Sequence, residues 1–167
     1  MEGFIIDLKD YTEGTVYARI AARAIIHKDD MYLFVKGSTG DLKFPGGGME
    51  DGETITQTLV REVREETGYS VDESNLSSSP RYFVHEMGKG MIDDKLIMDS
   101  YYYECEVPED IDFINKADYE TDTGYTPVWM TLDEMIEESR KCVDFERFRW
   151  VKRELLIAEK IREEGEK

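Results

Sequence analysis

The chain has 167 residues, 40% of them hydrophobic and 11% aromatic, enough apolar material for the core of one domain. Its 38 acidic and 21 basic residues leave a net charge of −17, so nucleic-acid polymers and anionic membranes are poor partners. No run is apolar for long enough to cross a bilayer, the N-terminus MEGFIIDLKDYTEG lacks the pattern of a secretory leader, and the widely spaced Cys105 and Cys142 read as reduced thiols of a cytoplasmic protein.

Residues 1–16 show no clear pattern. Tyr17 to His27 is β-prone, Asp29-Asp30 is a turn, and Met31 to Lys36 is a second strand, so the pair reads as a hairpin. Asp41 to Phe44 is a short strand that runs into Pro45 and the glycines Gly46, Gly47 and Gly48, where the backbone must turn. Thr54 to Thr67 is a helix with Ile55, Leu59 and Val63 as its apolar stripe, Thr54 as N-cap and Gly68 as stop. Serine-rich 70–79 is a loop, Pro80 to Glu86 a strand, and Met87 to Asp94 a loop. Tyr101 to Val107 is strongly β-prone, 108–126 acidic and irregular, and Pro127 to Met130 a last strand. Thr131 and Glu134 form a capping box that opens a helix to about Lys141. Phe145 to Ile161 is the final helix, with a charged tail from Arg162 that frays. Strands and helices in this order predict an α+β fold, a mixed sheet between helices.

The chemistry concentrates in Gly47 to Tyr69. Glu62, Glu65 and Glu66 stand at i, i+3 and i+4, which puts three carboxylates on one helix face. They repel one another unless a cation sits among them, and a hard divalent ion such as Mg²⁺ suits oxygen ligands. Arg61 beside them is placed to orient a carboxylate, and Glu53 suits the positive end of the helix. The glycines allow close approach of the backbone to phosphate oxygens or to the helix.

This segment resembles the Nudix box, G-x5-E-x7-R-E-U-x-E-E-x-G-U with U a large apolar residue. Gly47, Glu53, Arg61, Glu62, Val63, Glu65, Glu66 and Gly68 fill the fixed places and Tyr69 the last apolar one. The resemblance covers about residues 17–160. It implies a Nudix fold, an α/β/α sandwich whose box is a loop–helix–loop, in a single domain. It also implies Mg²⁺- or Mn²⁺-dependent cleavage of a small nucleoside diphosphate linked to a second moiety, a nucleoside triphosphate or a nucleotide sugar. Glu62, Glu65 and Glu66 would hold metal, with Glu65 and Arg61 catalytic and Glu53 in support. A carboxylate outside the box would help, Glu120 first and Glu104 second.

Gly47, Gly48, Arg23 and Phe44 are the candidates for substrate contact, with a core role competing for Phe44 and for Tyr82. His27 and His85 lack metal-ligand spacing and read as structural. Lys141, Arg147, Arg149, Lys152 and Arg153 alternate with acids and read as a salt-bridged surface. The loops 85–94 and 108–126 are expected to shape specificity. Pro80 lies 12 residues beyond Gly68, short of its usual place in members acting on ADP-ribose. A catalytically silent Nudix module that binds a nucleotide is the alternative, against which the complete set of box carboxylates counts. A homodimer stays open.

Overall fold

The computed structural model of the chain describes residues 1–11, 14–90, 95–107, 124–141 and 148–165. In chain order its strands begin with β1 (Glu2–Asp7), β2 (Val16–Ile25), β3 (His27–Lys28), β4 (Met31–Gly37), β5 (Leu42–Lys43) and β6 (Gly46–Gly48). Helix α1 (Ile55–Thr67) and a short 3₁₀ turn (Glu73–Asn75) precede β7 (Tyr82–Lys89), β8 (Lys95–Glu104) and β9 (Tyr125–Thr131). The helices α2 (Leu132–Arg140) and α3 (Trp150–Gly165) follow.

The larger sheet has the order β1-β7-β8-β2-β6 and is mixed. Its β1–β7 and β2–β8 pairs are parallel, its β7–β8 and β2–β6 pairs antiparallel. In the smaller sheet β4 pairs antiparallel with β3, β5 and β9. One buried cluster joins the sheets to α2 and α3 through Phe34, Phe44, Tyr82, Tyr102, Met135 and Ile157. A second joins them to α1 through Ala22, Ala24, Leu33, Leu59, Val63 and Tyr103. Helices therefore cover both sides of the sheets, the α/β/α sandwich of a Nudix fold. No helix among the described residues is long and apolar enough to cross a membrane.

Helix α1 forms where its sequence dictates. The Thr54 hydroxyl accepts from the Gln57 N–H at 3.2 Å, and the Gln57 side chain accepts from the Thr54 N–H at 3.0 Å. Gly68 ends the helix at φ 75°, a left-handed turn that costs glycine little. Leu59 and Val63 are fully buried, which stabilises the fold by about 1.5–3 kcal/mol each. The box helix is thus seated firmly, and its acidic face adjoins the core stripe, with Glu66 buried beside Leu59 and Val63.

Four expectations change. The hairpin shrinks to β3 with the start of β4, around Asp29 at φ 54°. β2 cannot pair with β4 because β8 and β6 already occupy both its edges. β1 emerges from the unplaced N-terminus, parallel to β7, with Phe4 and Ile6 against the core. β7 runs on through Met87 to Lys89, the start of the predicted loop, and β8 begins at Lys95, which pairs with Lys89. Helix α3 starts at Trp150 and continues to Gly165, tied by Arg162 to Asp133 (3.1 Å) and by Glu164 to Arg81 (2.7 Å) instead of fraying at Arg162.

Candidate active site

Arg61 organises the box. Its Nε and Nη2 donate to the two Glu53 oxygens at 2.7 and 2.9 Å, a bidentate clamp. Nη1 donates to Glu62 at 2.8 Å and to Glu65 at 3.3 Å, and Nη2 reaches the Gly48 carbonyl at 3.2 Å. Glu53 also accepts from the Glu50 N–H at 3.0 Å and the Thr58 hydroxyl at 2.8 Å. The Arg61 hydrogen bonds, helped by Glu50 and Thr58, bring the Glu53 carboxyl down to about 2. One guanidinium thereby links three carboxylates to strand β6.

The three helix carboxylates are not equivalent. The Glu62 side chain is 14% exposed, Glu65 49% and Glu66 4%. Burial raises Glu62 above the usual carboxylate range; Arg61 opposes the shift, and the charges of Glu66 and Glu65 add to it. Glu62 lies so near Gly47 that a Cβ there would stand 2.3 Å from its Oε1. Gly46 is held at φ 142° with no room for a side chain against the Ala22 carbonyl, and its N–H donates to Glu66 at 2.8 Å. The other Glu66 oxygen accepts from Lys43 Nζ at 2.6 Å. Burial draws the Lys43 pKa below its ordinary value, Glu66 opposes this, and Arg23 adds to it.

The cation that the acidic face requires is therefore supplied, in part, by the protein itself: Arg61 for Glu62 and Glu65, Lys43 for Glu66. Among the described residues no three acidic, histidine or cysteine side chains converge into a ready ion cage. The donor set nevertheless fits a hard divalent ion. All three groups are carboxylates, Glu65 keeps an open flank, and the missing Cβ of Gly47 makes room for the Glu62 carboxylate.

Beside the box opens a cleft of about 430 Å³ between the larger sheet and α3. Arg23, Lys43, Glu86, Tyr125, Trp150 and Arg153 are among its lining residues. Arg23 is 7% exposed, and its Nη1 donates to the Gly46 carbonyl, but its buried Nε has no hydrogen-bond partner. A buried guanidinium with one N–H unsatisfied, on a residue that lines a cleft, places positive charge beside that space. Arg19 lies four residues earlier on the same strand face, its guanidinium against the Cα of Gly48. Lys43 lies over the Tyr125 ring at 4.0 Å from its centroid.

The sequence model of the NUDIX domain matches residues 18–153. The chain belongs to the NUDIX family. A NUDIX hydrolase from Nitrosomonas europaea superposes at TM-score 0.53 with 26% identity, over 74% of this chain and 79% of that one. The Ap4A hydrolase of Caenorhabditis elegans superposes at TM-score 0.51 over 84% of this chain and 98% of that one, with 15% identity, which bears on the fold alone. An ADP-ribose pyrophosphatase of Methanocaldococcus jannaschii is 39% identical over 66 residues, 37% of this chain and 38% of that protein. The chain thus matches less than half the length of that relative.

Within this NUDIX domain the structure brings Glu53, Arg61, Glu62, Glu65, Glu66, Gly47 and Gly48 together and sets Arg23 at the neighbouring cleft. Phe44 is corrected: its ring is fully buried between Phe34, at 4.9 Å, and Tyr102, at 5.8 Å, so it cannot stack on a base. Glu104 is paired with Arg81, which also holds Glu164. Glu120 lies outside the described residues, as does most of the acidic loop. His85 bonds Asp99 at 2.6 Å and His27 packs on Tyr32, as structural histidines do. Arg153, expected on the surface, is 3% exposed. Lys43, Glu86, Trp150 and Arg19 escaped the sequence reading. Only Arg19 had a usable signal: Arg19, Ala21 and Arg23 alternate at strand period, two cations flanking a small residue on one face.

Proposed function

We propose that this NUDIX-domain protein is a metal-dependent pyrophosphohydrolase that cleaves a small nucleoside diphosphate linked to a second moiety. The carrying observation is the junction of the Arg61-organised carboxylates with a cleft lined by Arg23, whose buried Nε has no hydrogen-bond partner. A nucleotide sugar of the ADP-ribose type is the first substrate class to test, on the strength of the similarity to the Methanocaldococcus jannaschii pyrophosphatase.

Glu62, Glu65 and Glu66 would hold Mg²⁺ or Mn²⁺, whose chemistry here is neutralisation of phosphate charge and activation of a water. Arg61, clamped by Glu53, keeps Glu62 and Glu65 in position. Gly47 and Gly48, lacking side chains, make room on β6 for the Glu62 carboxylate and the Arg19 guanidinium, which would face the phosphates. The Arg23 guanidinium, at the wall of the cleft, would attract a phosphate beside Glu66. Glu120 remains the proposed carboxylate from outside the box. The completeness of the carboxylate set supports catalysis over a silent nucleotide-binding role.

The test is a panel of nucleoside triphosphates, ADP-ribose, NADH, dinucleoside polyphosphates and coenzyme A, with Mg²⁺ or Mn²⁺, followed by release of phosphate-linked products. At least one compound should turn over, and Glu65→Gln should lose about 100-fold or more while melting like the wild type. No turnover across the panel sinks the hydrolase reading. Near wild-type turnover in Glu65→Gln sinks the metal assignment.

A further inference from the structure

Lys43 belongs to β5, three residues ahead of β6, and its side chain stands where the box meets the cleft. Its ammonium is 2.6 Å from Glu66 Oε1, with the two side chains 12% and 4% exposed. The second Glu66 oxygen is held by the Gly46 N–H. Both oxygens of the most buried box carboxylate are thus engaged by the protein. A carboxylate this buried needs a cationic partner at all times, because an unpaired buried charge is strongly destabilising.

We propose that Lys43 is a resident counter-ion that holds Glu66 while the metal site is empty and, once it is loaded, swings to a phosphate of the substrate in the adjoining cleft. The proposal rests on the metal-dependent reading above and adds the coupling between its two sites. Lys43 and a divalent ion cannot share one Glu66 oxygen without like-charge repulsion in a poorly solvated place. The lysine stem is long and its ammonium is a point charge that reorients freely, unlike the forked guanidinium of Arg61. The cleft is the direction open to it, since Lys43 already lines that space together with Arg23. Tyr125, whose ring lies 4.0 Å from Nζ, offers a cation–π surface along the way. Metal and substrate then reinforce each other, each freeing or using the group the other needs, and such coupling is reciprocal.

The test measures binding, not turnover. Mn²⁺ uptake is followed by electron paramagnetic resonance and α,β-methylene-ADP binding by calorimetry, for wild type, Lys43→Met and Lys43→Gln. The glutamine variant keeps an N–H donor for Glu66 and guards against a methionine variant that fails to fold. With Mn²⁺ saturating, both variants should bind the nucleotide about 5-fold or more weakly than wild type; without Mn²⁺ they should bind it equally well. A loss of equal size with and without Mn²⁺ makes Lys43 a standing phosphate ligand and overturns the proposal. No loss in either condition makes the pair structural and also overturns it. A wild type that takes up neither Mn²⁺ nor nucleotide overturns the metal-dependent reading as well, so the two failures are told apart.

Discussion

Arg61 and Arg153 each gather carboxylates, in opposite surroundings. Arg153 is 3% exposed and contacts Glu86 at 2.8 Å, Glu154 at 2.9 Å and the Tyr102 hydroxyl at 3.2 Å. Glu154, fully buried, also accepts from the Phe44 N–H at 3.1 Å. This hub locks α3 to β7, β8 and the residues leading into β6, and so sets the floor of the cleft. Arg61 is 23% exposed and its partners range from 14% to 49%. Its carboxylates keep an open side toward solvent. The same ion-pair chemistry serves as a fastener where it is sealed and as a candidate site where it is left open.

Replacing the buried arginine should therefore hurt folding most. Arg153→Met leaves Glu154 and Glu86 uncompensated, and urea unfolding should show a loss of about 3–5 kcal/mol. A loss below about 1 kcal/mol, the range of exposed pairs, would erase the contrast. Arg61→Met should reverse the pattern, with kcat/KM down by about 10–100-fold and stability changed by about 1 kcal/mol or less. If Arg61→Met unfolds the protein, the box hub is a fastener too.

The smallest effect sharpens the comparison through pH. The Glu53 carboxyl titrates at about 2 in the folded chain against an ordinary 4.5. A lowered folded-state value gives stability that is complete above the ordinary pKa and disappears as pH falls toward the folded one. Glu53→Gln should thus melt below wild type near neutral pH, and the gap should close between about pH 4.5 and about pH 2. Thermal melts across that range check it; a gap that stays constant would mean that Glu53 acts through packing and not through charge.

Much of the site could be read along the chain because it is built within one helix. The i, i+3, i+4 spacing of Glu62, Glu65 and Glu66, the Thr54 cap and the Gly68 stop depend only on helical geometry, and all three features hold. The Thr131–Glu134 capping box holds for the same reason. The α3 hub was hidden because Arg153 and Glu154 look like ordinary surface charges in a helix of mixed composition. Only the approach of β7, β8 and Phe44 makes them interior. β1 was hidden because its partner, β7, lies about eighty residues away, beyond any local signal.

The sequence by itself determined the box, its caps and the carboxylate face, since backbone periodicity ties neighbours within an element to fixed relative positions. The tertiary structure decided the rest: which cations meet that face, that Phe44 belongs to the core, and that Arg23 keeps a buried donor beside a cleft. Those outcomes depend on which strands compete for the same edges and which charges are sealed from water. Glu66 shows both halves. Its place on the helix follows from spacing, whereas its partners, Lys43 and Gly46, come from strands about twenty residues upstream, placed there by the pairing of β5 with β4 and of β6 with β2.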